Sequence, residues 1–200
     1  MKSCGHTHSQ ILILVVGLAL LGLAGCGGAS PVLPPRIASD AAKKAIELYD
    51  LDKNGYLDAQ ELEKAPSLRV AFAGSNKITE QDIAARLAKW KETKFGRLQF
   101  VVTVMHNGQP LADANVNLVP ESFVGSEIQT AVGKTDRTGR ASPTVPDYAS
   151  ERMPGVAPGF YRIEITKDGE SIPAKYNTAT VLGGEVPQME EGKWVFNLEY

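Results

Sequence analysis

The chain has 200 residues, 43% of them hydrophobic and 22% charged, which is the make-up of a folding chain and excludes a disordered or fibrous one. A formal charge of −2 leaves no basic surplus to neutralise phosphates, so nucleic acid is excluded as an expected partner. The length suits one large domain or two small ones.

The first predicted element is an export signal. Lys2 and the α-amino group give a charged start, and residues 11–23 form an apolar run of thirteen without a charge. A bilayer span needs about 20 residues, so this run has the length of a secretory hydrophobic region. Leu23-Ala24-Gly25-Cys26 follows at once. The tetrapeptide resembles the lipobox of bacterial lipoproteins, whose cysteine receives diacylglycerol before the chain is cut in front of it. The resemblance implies a signal peptide over residues 1–25 and lipid attachment (diacylglycerol, palmitate) at Cys26. It also implies a chain anchored to a membrane of the cell envelope. Gly27 carries no inner-membrane retention signal, which implies the outer membrane in a cell that has one. The alternative is a plain secreted protein cut at a small-residue site, with Cys26 incidental.

Cleavage before Cys26 decides much of the remaining chemistry. Cys4, His6 and His8 leave with the signal, and a lipidated Cys26 is a thioether. No thiol then remains for a disulfide, a nucleophile or a zinc site, and His106 is the one histidine left.

Residues 26–36 read as the lipidated cysteine and a flexible tether. Glycine, serine and prolines in residues 27–35 (GGASPVLPP) cannot form a helix interior, and the prolines hold the segment extended, lifting the folded part off the bilayer. Residues 37–95 follow with apolar residues at helical spacing: Ala42, Ala45, Ile46 and Tyr49, then Ile83, Leu87 and Trp90.

Between those helices, residues 50–61 read DLDKNGYLDAQE. Oxygen side chains stand at loop positions 1, 3, 5, 9 and 12, with glycine at 6 and an aliphatic at 8. This is the EF-hand pattern, and each part has a physical reason. Calcium is a hard cation that takes six to eight oxygens. Asp50, Asp52 and Asn54 offer theirs from one side of a tight turn, which Gly55 permits. Tyr56 contributes its carbonyl, Asp58 acts directly or through a water, and Glu61 closes the sphere with both oxygens. Four of these groups are carboxylates that repel without a cation. Asp58 and Glu61 also stand as N-cap and N3 acid of the exiting helix, which Pro66 must cut short.

The partner half-site is incomplete. Aligning Ile78 with Leu57 at position 8 puts Ala71 at position 1, Ala73 at 3, Asn76 at the glycine position and Asp82 at 12. Residues 79–82 (TEQD) still begin a capped helix. The second half reads as a structural mate that pairs through Ile78 and Leu57 without metal. One calcium is expected, in the range of about 10⁻⁵ to 10⁻³ M.

From Gly96 the period changes to two: Phe100, Val102, Val104; Ala112, Ala114, Val116, Leu118; Tyr161, Ile163, Ile165; Trp194, Phe196, Leu198, Tyr200. About seven strands are expected over residues 96–200, with turns at Asn107-Gly108, Asp136 to Gly139 and Asp168-Gly169. Three segments carry a further resemblance: Asn107-Gly108-Gln109-Pro110-Leu111 with Ala114-Asn115-Val116-Asn117-Leu118; Thr135-Asp136-Arg137-Thr138-Gly139; and Gly159-Phe160-Tyr161-Arg162-Ile163. They resemble the carboxypeptidase regulatory-like, or transthyretin-like, β-sandwich, a likeness that implies fold and says almost nothing of function. The expected fold is therefore α+β and multidomain: a small helical EF-hand pair followed by a seven-stranded transthyretin-like, Ig-like sandwich.

No enzyme is expected. Zinc carboxypeptidases need two histidines and a glutamate, and the iron of intradiol dioxygenases needs two histidines and two tyrosines. His106 alone supplies neither, and before Asn-Gly it reads as a solvated turn residue. No Gly-x-Ser-x-Gly elbow or phosphate loop occurs, and acids such as Glu164 and Glu185 read as solvated strand positions. Tyr148, Phe160, Tyr176 and Trp194 offer a sugar or peptide platform, although their alternation with polar residues favours core. Residues 172–177 (IPAKYN) read as an irregular edge strand, either a partner-docking edge or a guard against aggregation. The expectation is a calcium-binding, lipid-anchored envelope protein whose β-module meets a protein or glycan partner. The alternatives are a purely structural lipoprotein and an accessory subunit or carbohydrate- or peptide-binding module of an extracytoplasmic hydrolase.

Overall fold

The computed structural model describes residues 33–92, 96–147, 153–186 and 193–200. The expected signal over residues 1–25, the expected lipid site Cys26 and the rest of the expected tether up to residue 32 lie outside the described residues, as does Tyr148. Among the described residues no helix is long and apolar enough to cross a membrane. The class is α+β, with four helices and ten strands among the described residues.

The helical part begins with α1 (Ala41–Tyr49), which buries Ala41, Ala42 and Ala45 and leaves Ile46 and Tyr49 partly buried against the core. After the turn at residues 50–55 come β1 (Tyr56–Leu57) and α2 (Ala59–Leu62). The exiting helix breaks where Pro66 requires. α2 stops at Leu62, and Pro66 opens α3 (Pro66–Ala71) at a first-turn position whose N–H has no helical partner anyway. β2 (Ile78–Thr79) pairs antiparallel with β1 and places Leu57 opposite Ile78, both fully buried. That register is the one the alignment at loop position 8 anticipates. α4 (Glu80–Glu92) buries Ile83, Leu87 and Trp90.

The β part has eight strands among the described residues, where about seven were expected: β3 (Val101–His106), β4 (Gln109–Pro110), β5 (Asn115–Pro120), β6 (Ala131–Lys134), β7 (Arg140–Ala141), β8 (Gly159–Thr166), β9 (Gly183–Val186) and β10 (Lys193–Leu198). One sheet has the order β10-β3-β4, with β7 also on β3; the other runs β6-β5-β8-β9. β10 lies parallel to β3, and the other pairs are antiparallel. The alternation read from sequence recurs in burial for Val102, Val104, Val116, Leu118, Ile163 and Ile165, whereas Trp194 and Phe196 are only partly buried, Ala112 lies in a turn before β5 and Tyr200, beyond β10, is exposed. Asn107 and Gly108, at φ +49° and +77°, form the two-residue turn between β3 and β4. The sheets meet through side chains from both: a Cβ at Gly184 of β9 would lie 2.6 Å from the ring of Trp194 on β10, and one at Gly133 would meet Ala141 and Pro143.

Helices and sheets share one buried cluster. Trp90 of α4 packs edge-on against Phe160 of β8 at 4.6 Å, and Tyr49 of α1 meets Phe123. α3 lies so close to β9 that a Cβ at Gly183 would be 2.3 Å from the Ser67 nitrogen. Two segments differ from expectation. Residues 172–177 form a 3-10 turn (Ala174–Tyr176) instead of an edge strand, because the Asn177 side chain donates back to the carbonyls of Ile172 and Pro173 and curls the segment. The described end of the tether lies on the β part instead of lifting away from it: Arg36 N–H donates to Glu127, and just beyond the tether Ala38 N–H donates to the Val124 carbonyl.

Candidate metal centre

The turn between α1 and α2 is built by its own side chains. Asp50, the C-cap of α1, accepts from the backbone N–H of Asn54 (3.1 Å) and of Gly55 (2.8 Å). Asp52 accepts from Asn54 N–H (3.0 Å) and from the Asn54 amide (2.8 Å), while Asn54 Oδ1 accepts from Tyr56 N–H. Lys53 and Gly55 take positive φ, +60° and +85°, and carry the chain through the reversal. The glycine at position 6 is there for that conformation.

Asp58 and Glu61 then cap α2 as a reciprocal box. Asp58 Oδ1 accepts from the N–H groups of Gln60 and Glu61, and Glu61 Oε2 accepts from Asp58 N–H. Glu61 does more than cap. Its second oxygen, Oε1, reaches across the loop to Leu51 N–H at 2.6 Å and Asp52 N–H at 3.4 Å, although the residue is only 5% exposed. Position 12 is thereby folded back over positions 1 to 3. The result is a group of three carboxylates, Asp50, Asp52 and Glu61, with ligand oxygens within 4.8 Å of one another.

At that separation each pair of charges repels by ~1 kcal/mol in water and ~3 kcal/mol at an effective dielectric of ~20. Backbone N–H dipoles offset part of this, and a divalent cation at the point of convergence would offset the rest. The donor set fits a hard cation, being all oxygen, and it is poor for zinc or copper, which favour nitrogen and sulfur. Of the six residues read as ligands, Asp50, Asp52 and Glu61 converge. Asn54 stands between them with its amide held in the loop, Tyr56 is held by its pairing with Thr79, and the Asp58 carboxylate faces the first turn of α2.

The second half-loop is organised differently. Asp82 caps Thr79 through its N–H and hydroxyl (2.8 and 2.7 Å), the same backward reach that Glu61 makes, but Ala71 and Ala73 stand where carboxylates would face it. Lys77 places its ammonium 3.9 Å above the Tyr56 ring.

Sequence reasoning missed two buried carboxylates. Glu121, at the end of β5, is 2% exposed and accepts from the Tyr49 hydroxyl (2.8 Å) and the Ser67 hydroxyl (2.6 Å), with Arg162 at 3.9 Å. Burial raises its pKa against these hydrogen bonds, and burial also raises that of the Tyr49 hydroxyl. Glu185 on β9 corrects the solvated reading: it is 4% exposed and accepts from Trp90 Nε1–H and Arg86 Nε–H, both at 2.7 Å. Burial raises its pKa too, with Trp90 and Arg86 opposing. Both acids sit on the β part and both take donors from the helical part. The signal for Glu185 was Gly183-Gly184 before it, two residues without side chains where another backbone can approach.

Other candidates fall differently from expectation. His106 is not a solvated turn residue: it ends β3, half-buried, stacked on Tyr200 at 4.1 Å with Nε2 3.1 Å from the Tyr200 carbonyl oxygen. Phe160 and Tyr176 are buried and Trp194 is partly buried against Phe100, so these three make no exposed platform. Glu164 remains partly exposed. Comparison with family models, curated proteins and solved structures returned no match.

Proposed function

We propose that this chain is a non-catalytic calcium-binding lipoprotein of the cell envelope. In this reading the helical part is an EF-hand pair with one competent loop, and the β part is a transthyretin-like sandwich that serves as a binding or structural module. The observation that carries the calcium assignment is the position of Glu61: from loop position 12 it folds back to bring its carboxylate within 4.8 Å of Asp50 and Asp52. Asp50, Asp52, Asn54, the Tyr56 carbonyl, Asp58 and Glu61 would hold the ion, and the ion would supply charge neutralisation and loop closure. Lipid at Cys26 would anchor the chain to the membrane, and the β part would face a protein or glycan partner.

Calorimetric titration of the full chain with calcium chloride tests the assignment, beside Glu61→Gln. The expected result is one site in the wild type and its loss or severe weakening in the variant. No heat of binding up to ~10 mM calcium, far above the range of working extracellular sites, would remove the calcium reading. Palmitate labelling of the wild type and its absence in Cys26→Ala would test the anchor.

A further inference from the structure

The calcium loop is bracketed by two residues that hold the same carboxylate. Tyr49 stands directly before Asp50, at the last position of α1; Ser67 stands six residues beyond Glu61, in the first turn of α3. The Tyr49 hydroxyl donates to one oxygen of Glu121 at 2.8 Å and the Ser67 hydroxyl donates to the other at 2.6 Å. Glu121 directly follows β5, at the N-cap of a 3-10 turn over Ser122–Val124, and is 2% exposed. The segment that closes the loop is therefore clamped at both ends to one buried group from a different part of the fold.

We infer that Glu121 is a latch that sets the affinity of the calcium loop, by fixing the end of α1 and the start of α3 at the separation in which Asp50, Asp52 and Glu61 converge. This rests on the proposed calcium reading and adds its regulation. Fixing both flanks removes freedom that an ion would otherwise have to restrain, so a latched loop binds calcium more tightly than a released one. Coupling is reciprocal: calcium in the loop strengthens the hold of Tyr49 and Ser67 on Glu121 by the same factor. Glu185 provides the contrast. It binds Trp90 and Arg86 in the middle and last turns of α4, which do not flank the loop.

The test is calcium affinity by calorimetry on the full chain, with thermal melts, for wild type, Tyr49→Phe, Ser67→Ala and Trp90→Phe. Each latch variant removes one hydroxyl and keeps the carboxylate; Trp90→Phe removes one donor from Glu185 and keeps an aromatic ring. Tyr49→Phe and Ser67→Ala are expected to weaken calcium binding by about tenfold, within the ~5- to 150-fold span of ordinary coupling. Trp90→Phe is expected to melt at a lower temperature with calcium affinity within about twofold of wild type. Should Ser67→Ala fail to fold, Tyr49→Phe alone decides. Wild-type affinity in the folded latch variants overturns the latch and leaves the calcium site standing. Equal weakening in Trp90→Phe also overturns it, because general loosening would then suffice. A wild type that binds no calcium removes both.

Discussion

Replacing Gly183 by alanine puts a methyl group where α3 meets β9, and the structure sets how badly it fits. The new Cβ would lie 2.3 Å from the Ser67 nitrogen, 2.4 Å from the Pro66 carbonyl carbon and 2.7 Å from its oxygen, all backbone atoms that cannot rotate away. Gly183 does not have a positive φ, so the substitution adds no backbone strain, and the whole effect is steric. Overpacking of this kind costs ~1–3 kcal/mol, and rigid neighbours favour the upper end. Restricting the unfolded chain returns ~0.4–1 kcal/mol. The net expectation is a loss of about 2 kcal/mol. For a chain of this size that corresponds to a fall in Tm of roughly 4–8 °C. Gly184→Ala serves as the internal standard: its Cβ would meet the Trp194 ring at 2.6 Å, a side chain that can shift, so its loss should be about half as large. Thermal denaturation of the three proteins orders them, and hydrogen exchange should find the extra opening of Gly183→Ala in α3. A Gly183→Ala protein as stable as wild type, or less affected than Gly184→Ala, would refute the packing of α3 on β9.

Calcium at about 100 times its dissociation constant should stabilise the chain by ~2.7 kcal/mol and raise Tm by roughly 5–11 °C, and Glu61→Gln should abolish that rise; melts with and without chelator check it. Tyr161→Phe should cost ~1 kcal/mol or somewhat more, because the buried hydroxyl donates to the Ala157 carbonyl at 2.8 Å, and calcium affinity should not move; denaturant titration and calorimetry read the two. Glu121 should give a pH signature. Its folded pKa is raised above the ordinary 4.5, so the folded chain holds the proton where the unfolded chain has released it, and stability falls as pH rises from about 4.5 through the folded value. The stability advantage of wild type over Glu121→Gln should therefore shrink as pH is raised above 4.5. Chemical denaturation of both proteins from pH 4 to 8 measures it, and an advantage that grows over that window would reverse the assignment.

The parts of this fold that could be read from sequence are those whose partners lie close in the chain. The loop over residues 50–61 is twelve residues that mostly bond to one another, so the glycine at 55, the acid at 61 and the proline at 66 each announce a local conformation. The strand alternation and the Asn107-Gly108 turn are local in the same sense. What failed was burial decided at long range. Glu121 meets Ser67 54 residues away and Tyr49 72 away, and Glu185 meets Trp90 95 away. Period-two alternation marks one face of a strand as polar, but a helix laid over that face turns its acids from solvated to buried. His106 was misread for the same reason, since Tyr200, the residue stacked on it, comes from β10's side of the sheet, 94 positions on.

This difference bears on how the loop works. α1, α2 and α3 have nine, four and six residues, and isolated helices below ~12–15 residues are marginal in water. Their stability comes from the surface they cover, and part of that surface is the β part, through Tyr49 on Phe123, Ser67 on Glu121 and α3 on β9. The twelve-residue loop offers donor chemistry that suits a hard cation. In the proposed latch, the distance between its ends, which would decide how well three carboxylates converge before an ion arrives, is set by a glutamate 60 residues beyond Glu61. Two loops with identical ligands on different supports would therefore bind calcium with different affinities, because the same ligands would start from different separations.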